Sequence, residues 1–270
     1  MASPNIYPNG IGGTVGSDVV SLSPLYCSGS IYYVDSSSGS DTYTGLERNK
    51  PFATFSAAYT AAANNDLIVL FSGHSETYTA GVTISKTGLS IIGEGSGTSA
   101  PSFIRNFDGS MFTISGAGTQ LRNILFSGGT YTSTSAKVTV SCASLYAESL
   151  YFQASSYDTG AQLELTTGAN NAFMDTLTFI SSATSVTAQP AIGLKITNAV
   201  SDLHIENIIF DGGSSGWSNP YAFLGSGAIT RLCAKDISLL NDSDVSFVTG
   251  TTGVYWPLSK SGSNRIVWAA

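Results

Sequence analysis

The chain has 270 residues, a net charge of −7 and two histidines, and its charged residues amount to 11%. That is well under the roughly 25% of ordinary globular chains, so Ser, Thr, Gly and Asn must carry the surface. No Lys/Arg run or basic stripe exists to neutralise phosphates, which excludes a nucleic-acid binder, and no stretch approaches the ~20 consecutive apolar residues of a membrane-spanning helix.

Residues 1–30 differ from the rest. They hold Pro4, Pro8 and Pro24, several glycines, and no Lys or Arg, and such a segment cannot build its own core. It is expected to be an extended arm for assembly or anchoring, either laid along the body or held by a partner or neighbouring copy. The second is favoured, with Pro4, Ile6, Tyr7, Pro8 and Tyr26 as contacts. The start, Met1-Ala2-Ser3-Pro4-Asn5, lacks a positive region and an apolar region, so synthesis in a cytoplasm without a secretory signal is expected.

Residues 31–66 read as a cap. Ile31-Tyr32-Tyr33-Val34-Asp35 is followed by a turn-rich run with Gly39, Asp41 and Gly45, then by Lys50-Pro51-Phe52-Ala53-Thr54-Phe55. The spacing predicts a short helix from Pro51 to Ala63. Pro51 suits its first turn, Phe52, Phe55, Tyr59 and Ala62 make one apolar stripe, and Asn64-Asn65-Asp66 stop it.

Residues 67–240 carry a repeat. The phrase reads Asn123-Ile124-Leu125-Phe126, Ser149-Leu150-Tyr151-Phe152, Thr176-Leu177-Thr178-Phe179, Asn207-Ile208-Ile209-Phe210 and, more weakly, Asp236-Ile237-Ser238-Leu239. Its spacings of 26, 27, 31 and 29 residues are those of a stacked repeat with slack for loops. A second strand with period-two alternation precedes each copy, as in Phe112 and Ile114, Val138 and Val140, Leu163 and Leu165, and Leu194 and Ile196. Such a unit cannot bury its apolar face alone, and stacking copies about 4.8 Å apart makes one core. Phe126, Phe152, Phe179 and Phe210 should then form a ladder ended by Leu239. The expected fold is all-β, a right-handed parallel β-helix of about seven rungs. Its open end would be covered by the 31–66 helix, since an uncovered end leaves backbone groups unpaired. A β-sandwich also has regularly spaced strands but does not repeat one phrase in register.

The layout Tyr33-Val34-Asp35, Pro51-Phe52-Ala53-Thr54, helix and Leu67-Ile68-Val69-Leu70 resembles the N-terminal cap of β-helix proteins of the pectin-lyase-like superfamily. Gly73-His74-Ser75-Glu76-Thr77-Tyr78 and Leu89-Ser90-Ile91-Ile92-Gly93-Glu94-Gly95 continue the resemblance, which spans residues 31–240. It implies the fold and leaves activity open, because that group includes lyases, hydrolases, phage tailspikes, adhesins and virion surface proteins.

Residues 241–270 break the repeat, and their aromatics, Trp256 and Trp268 among them, should cap the far end or seat a partner subunit.

Polysaccharide hydrolysis needs two carboxylates on one face. Glu148, Asp175 and Glu206 each stand two residues before the apolar Leu150, Leu177 or Ile208, with Asp236 one before Ile237, and form a candidate acid ladder. Even parity turns them inward unless the chain bends just before the core strand, and the plainer reading is a solvated corner or turn cap. Only Arg122 and Lys235 bring a cation to this register. His74 with Glu76 could form an acid/base pair but suits a turn. Asp35 with Asp41, or Asp242 with Asp244, offers too few ligands for Ca²⁺. Cys27, Cys142 and Cys233 read as small buried hydrophobes. No metal or cofactor is implied.

These features give two expectations. The first is a phage virion structural protein without enzymatic activity: a capsid decoration or cement protein displayed on the virion surface, a homotrimer bound to the major capsid protein or another virion protein. The second is a carbohydrate-binding or polysaccharide-degrading tailspike-like protein, with Tyr131, Tyr157, Trp217 and Tyr221 available to stack a surface glycan.

Overall fold

A computed structural model describes residues 28–128, 133–155, 160–181, 192–212, 221–225, 228–241, 244–247, 258–260 and 266–268. Two parallel sheets dominate. The longer has twelve strands, and nine of them follow one path: Ile31–Val34, Leu67–Leu70, Ser90–Gly93, Gln120–Gly128, Tyr146–Gln153, Phe173–Asp175, His204–Asp211, Cys233–Leu240 and Leu258–Lys260. The second sheet has eight strands, running from Val82–Ile84 at one end to Ile266–Trp268 at the other. Every strand pairs with the corresponding strand of the next repeat, which is the parallel β-helix expected from the spacing.

Alternation explains the interior. Val138, Val140, Leu163 and Leu165 of the second sheet point into the same core as Leu150, Phe152, Leu177 and Phe179 of the first. The ladder forms as expected: Phe126–Phe152, Phe152–Phe179 and Phe179–Phe210 stack at 5.1, 5.0 and 5.0 Å. Leu239 pairs below Phe210, and Lys260 stands below Leu239, so the ladder stops there. Two buried cations sit where the sheets meet, both on backbone carbonyls. Arg105 Nη1 donates to Ser135 O at 2.7 Å and Lys137 Nζ to Gln153 O at 2.7 Å.

The rungs bend at two fixed positions where the backbone is left-handed, the first from Asn65 onward and the second from Asn123 onward. One series is Asn65, Gly88, Gly118, Ser144, Asn171, Asp202 and Arg231. The other is Asn123, Ser149, Thr176, Asn207 and Asp236, with φ of 53°, 54°, 55°, 53° and 51°. Asn and Asp tolerate this region, whereas a β-branched Thr is strained there.

The helix is shorter than predicted, spanning Phe55–Ala61. Phe52 is taken by a bridge to Val34, with Phe52 N donating to Tyr33 O, so the chain is still extended at that point. Thr54 is the N-cap, accepting from Ala57 N through its side chain. Phe55 and Ala58 are fully buried, and Phe55 packs against Phe103 and Phe112 over the first rungs. No helix among the described residues is long and apolar enough to cross a membrane.

Candidate functional site

The second bend decides where the acids point. Ala147 and Leu150, Met174 and Leu177, and Ile205 and Ile208 all face the core, though the members of each pair are an odd three positions apart. A left-handed residue between them resets the alternation. Glu148, Asp175 and Glu206 therefore face outward, the arrangement that parity alone would have denied them.

They stand in strict register. Arg122 pairs with Glu148, Glu148 with Asp175, Asp175 with Glu206 and Glu206 with Lys235, giving one charged column down the outer face of the long sheet. Neighbours are one strand spacing apart, about 4.8 Å at the backbone. Two residues away on the same face runs a second column, Gln120, Tyr146, Phe173, His204 and Cys233. Its rings stack face to face: Tyr146–Phe173 at 5.3 Å and 7°, and Phe173–His204 at 4.7 Å and 11°.

The columns are joined. Tyr146 Oη donates to Glu148 Oε2 at 2.9 Å, and Arg122 Nη2 reaches the same oxygen at 2.8 Å. His204 Nε2 stands 3.2 Å from Glu206 Oε2, and Lys235 Nζ stands 3.9 Å from it on the other side. Asp175 lies between these ion pairs and is held by neutral donors. Asn207 Nδ2 at 2.8 Å and Thr176 Oγ1 at 2.9 Å both bond its Oδ1, and Oδ2 takes neither. Burial, followed by the hydrogen bond to Glu148 and its charge, pushes the Tyr146 phenol up to about 12. It is a neutral donor through the physiological range.

The other candidates are local fasteners. His74 is fully buried, its Nδ1 accepts from Ser36 N at 3.0 Å, and its Nε2 lies 3.5 Å from Glu76 Oε2. Glu76 Oε2 in turn accepts from Phe55 N at 2.9 Å, so the pair ties the cap to the first rungs. Asp41 caps the helix entry, accepting from Ala53 N, Thr54 N and Thr54 Oγ1. Asp35 accepts from Ser37 N, Ser37 Oγ and Ser38 Oγ. Burial works to raise the Asp35 carboxyl, but the bonds from Ser38 and Ser37 outweigh it and leave it below its ordinary value. Both aspartates face donors, as turn caps do. Among the described residues no three His, Cys, Asp or Glu side chains group as metal ligands would. Cys142 is buried and Cys233 half-buried, both as free thiols. Pro4, Ile6, Tyr7, Pro8, Tyr26, Tyr131, Tyr157, Trp217, Asp242 and Trp256 lie outside the described residues, and Tyr221, Asp244 and Trp268 belong to strands described by their backbone.

Sequence reasoning singled out the acids and missed the ring column beside them. The signal was there: Tyr146, Phe173 and His204 each stand two residues before an acid.

No family model and no curated protein matches the chain. Among solved structures it is similar to a rhamnogalacturonan lyase (14% identity, TM-score 0.49), covering 89% of this chain and 62% of that one. It is similar to a pectate lyase (15%, 0.48; 89% and 76%) and to an alginate lyase of family PL6 (13%, 0.42; 94% and 41%). The chain thus spans less than two thirds of the rhamnogalacturonan lyase and of the alginate lyase. These likenesses are too distant to assign an activity, and the fold itself rests on the strand pairing above. One expectation, that of a protein without enzymatic activity, is not kept. The similar solved structures are lyases by name, and the chain carries an ordered, outward-facing acid row where parity predicted buried side chains. The non-enzymatic shell protein is set aside.

Proposed function

We propose that the chain is a carbohydrate-active β-helix that binds an extended polysaccharide along the outer face of its long sheet and cleaves it there. The paired columns carry this reading. Outward donors and acceptors repeat at every strand, about 4.8 Å apart, and a polymer of hydroxylated rings can meet such a row over several units. Lys235 supplies donors, and Glu148, Asp175 and Glu206 supply acceptors, with Arg122 and Tyr146 holding Glu148 in place. The stacked rings of Tyr146, Phe173 and His204 occlude one another's faces, so they stiffen the wall and offer edges rather than a stacking platform.

Asp175 and Glu206 divide the chemistry. Asp175, held by neutral donors on one oxygen, acts as base or nucleophile. Glu206, set between His204 and Lys235, exchanges the proton with the leaving oxygen. Glu148 is locked by Arg122 and Tyr146 and positions the substrate.

The test is a panel of neutral and acidic polysaccharides, with both reducing ends and unsaturated products assayed. Cleavage of at least one member is expected, with Asp175→Asn and Glu206→Gln each lowering the rate about 100-fold or more and Glu148→Gln acting chiefly on KM. Binding without cleavage would reduce the column to a recognition surface; neither binding nor cleavage would overturn the proposal. Display of the column on a virion as a homotrimer held by a capsid protein belongs to the same proposal, and the mass of the full chain in solution tests the trimer.

A further inference from the structure

The upper rungs of the long sheet are buried on both faces. In Leu67–Leu70, Ile68 and Leu70 point into the main core, so Leu67 and Val69 point outward. These two and Ile92 nonetheless keep 4%, 8% and 1% exposure, and Arg122, next in register below Ile92, keeps 7%, whereas the Glu148 and Glu206 side chains further down that column keep 25% and 21%. With Ile31, Tyr33 and Phe71 they form an apolar cluster separate from the core. From Glu148 down, neighbours within the sheet do not seal the outward residues to this degree.

The described side chains beside the strip only border it. The Arg48 guanidinium lies 4.5 Å from the Phe71 ring and 5.8 Å from that of Tyr33, and is held by Glu94, but its side chain is 58% exposed. Leu46 is 51% exposed.

We infer that the strip is the docking surface for residues 1–27 of the same chain, which form a third layer over Leu67, Val69 and Ile92. The chain enters at the strip itself. Gly29 N donates to Asn65 O at 3.2 Å, Ser30 N donates to Asp66 Oδ1 at 2.7 Å, and Ile31 pairs with Leu67. A segment tethered within a few residues of its surface competes at an effective concentration in the millimolar range or above, which a second copy reaches only when crowded. The segment is also chemically suited. Ile11, Val15, Val19, Val20 and Leu22 are apolar, and Asp18 is its one charged side chain, so docking buries almost no charge. Its contour can reach about 90 Å when extended, far beyond the two strand spacings it must cross. The arm is therefore chiefly an internal cover, which departs from the partner-held arm expected from sequence.

Limited digestion of the full chain with chymotrypsin, followed by mass spectrometry, tests this. Bonds after Leu22, Leu25 and Tyr26 should be cut about tenfold or more slowly than in a free peptide of residues 1–27, with protection unchanged on dilution. Val69→Glu should raise cleavage toward the peptide rate while the circular dichroism of the strands persists. The milder Ile92→Thr should do so in part should Val69→Glu not fold. Arm bonds cut as fast as in the peptide would overturn the inference, as would folded variants that leave cleavage unchanged. Protection that fades on dilution would assign the strip to the arm of a second copy and overturn it equally.

Discussion

The two ends of the long sheet are built from the same strands and use their outer faces in opposite ways. Near the cap the outward residues are Leu67, Val69 and Ile92, sealed from water. From Glu148 to Lys235 the same column is charged and open to solvent on one side. The interior changes with it. Under the cap Phe55, Phe103, Phe112 and Tyr78 pack edge to face and tilted, whereas from Phe126 downward the rings stack in parallel. Irregular aromatic packing closes an end, and regular stacking extends a column. A β-helix needs the first once and the second at every rung, and only the regular part offers a repeating outer row to a repeating ligand.

Substitutions can break this contrast at several strengths. Phe179→Ala removes one ring from the middle of the regular stack and should cost about 3–5 kcal/mol. Because rungs contact only their neighbours, urea unfolding followed by circular dichroism should lose two-state character as well. Tyr146→Phe keeps the ring stack and deletes one bond to a carboxylate, for about 1 kcal/mol. It should also alter the alkaline limb. The folded phenol titrates at about 12 and an unfolded tyrosine near 10, so the unfolded state loses its proton first and stability declines as pH rises through about 10 to 12. Urea melts across that window should show a shallower decline in Tyr146→Phe than in the parent. Thr176→Asn relieves a β-branched residue at φ 55° and should stabilise by up to about 1 kcal/mol, offset in part by the lost hydroxyl bond to Asp175. Tyr151→Thr, on the open face, should stay within about 0.5 kcal/mol.

The repeat made the core legible in sequence. Ile124, Leu150, Leu177, Ile208 and Ile237 align because stacking demands it, and the Phe column followed from that alignment. The outward turn of Glu148, Asp175 and Glu206 was not legible from alternation, since it depends on a backbone bend. The clue lay in the residue after each acid, Ser149, Thr176 or Asn207, in a position where Asn recurs. The helix start was misjudged because Pro51 and Phe52 were read for helical propensity, while Phe52 is claimed by a bridge to Val34 from a distant segment. The double-sided burial of Leu67-Ile68-Val69-Leu70 was written plainly as an unbroken apolar run, the pattern of a strand covered on both faces.

The twin left-handed columns make the rung an interchangeable part. Ser144 and Asn171 open successive rungs with the same backbone bend, and Ser149 and Thr176 repeat the second. A tandem copy of residues 144–170 would meet, above and below, the contacts its template already makes. It would lengthen the column by one strand spacing, about 4.8 Å, and add one more acid to the outer row. Column length, and with it the span of ligand that can be gripped, is thus open to change by gene duplication alone.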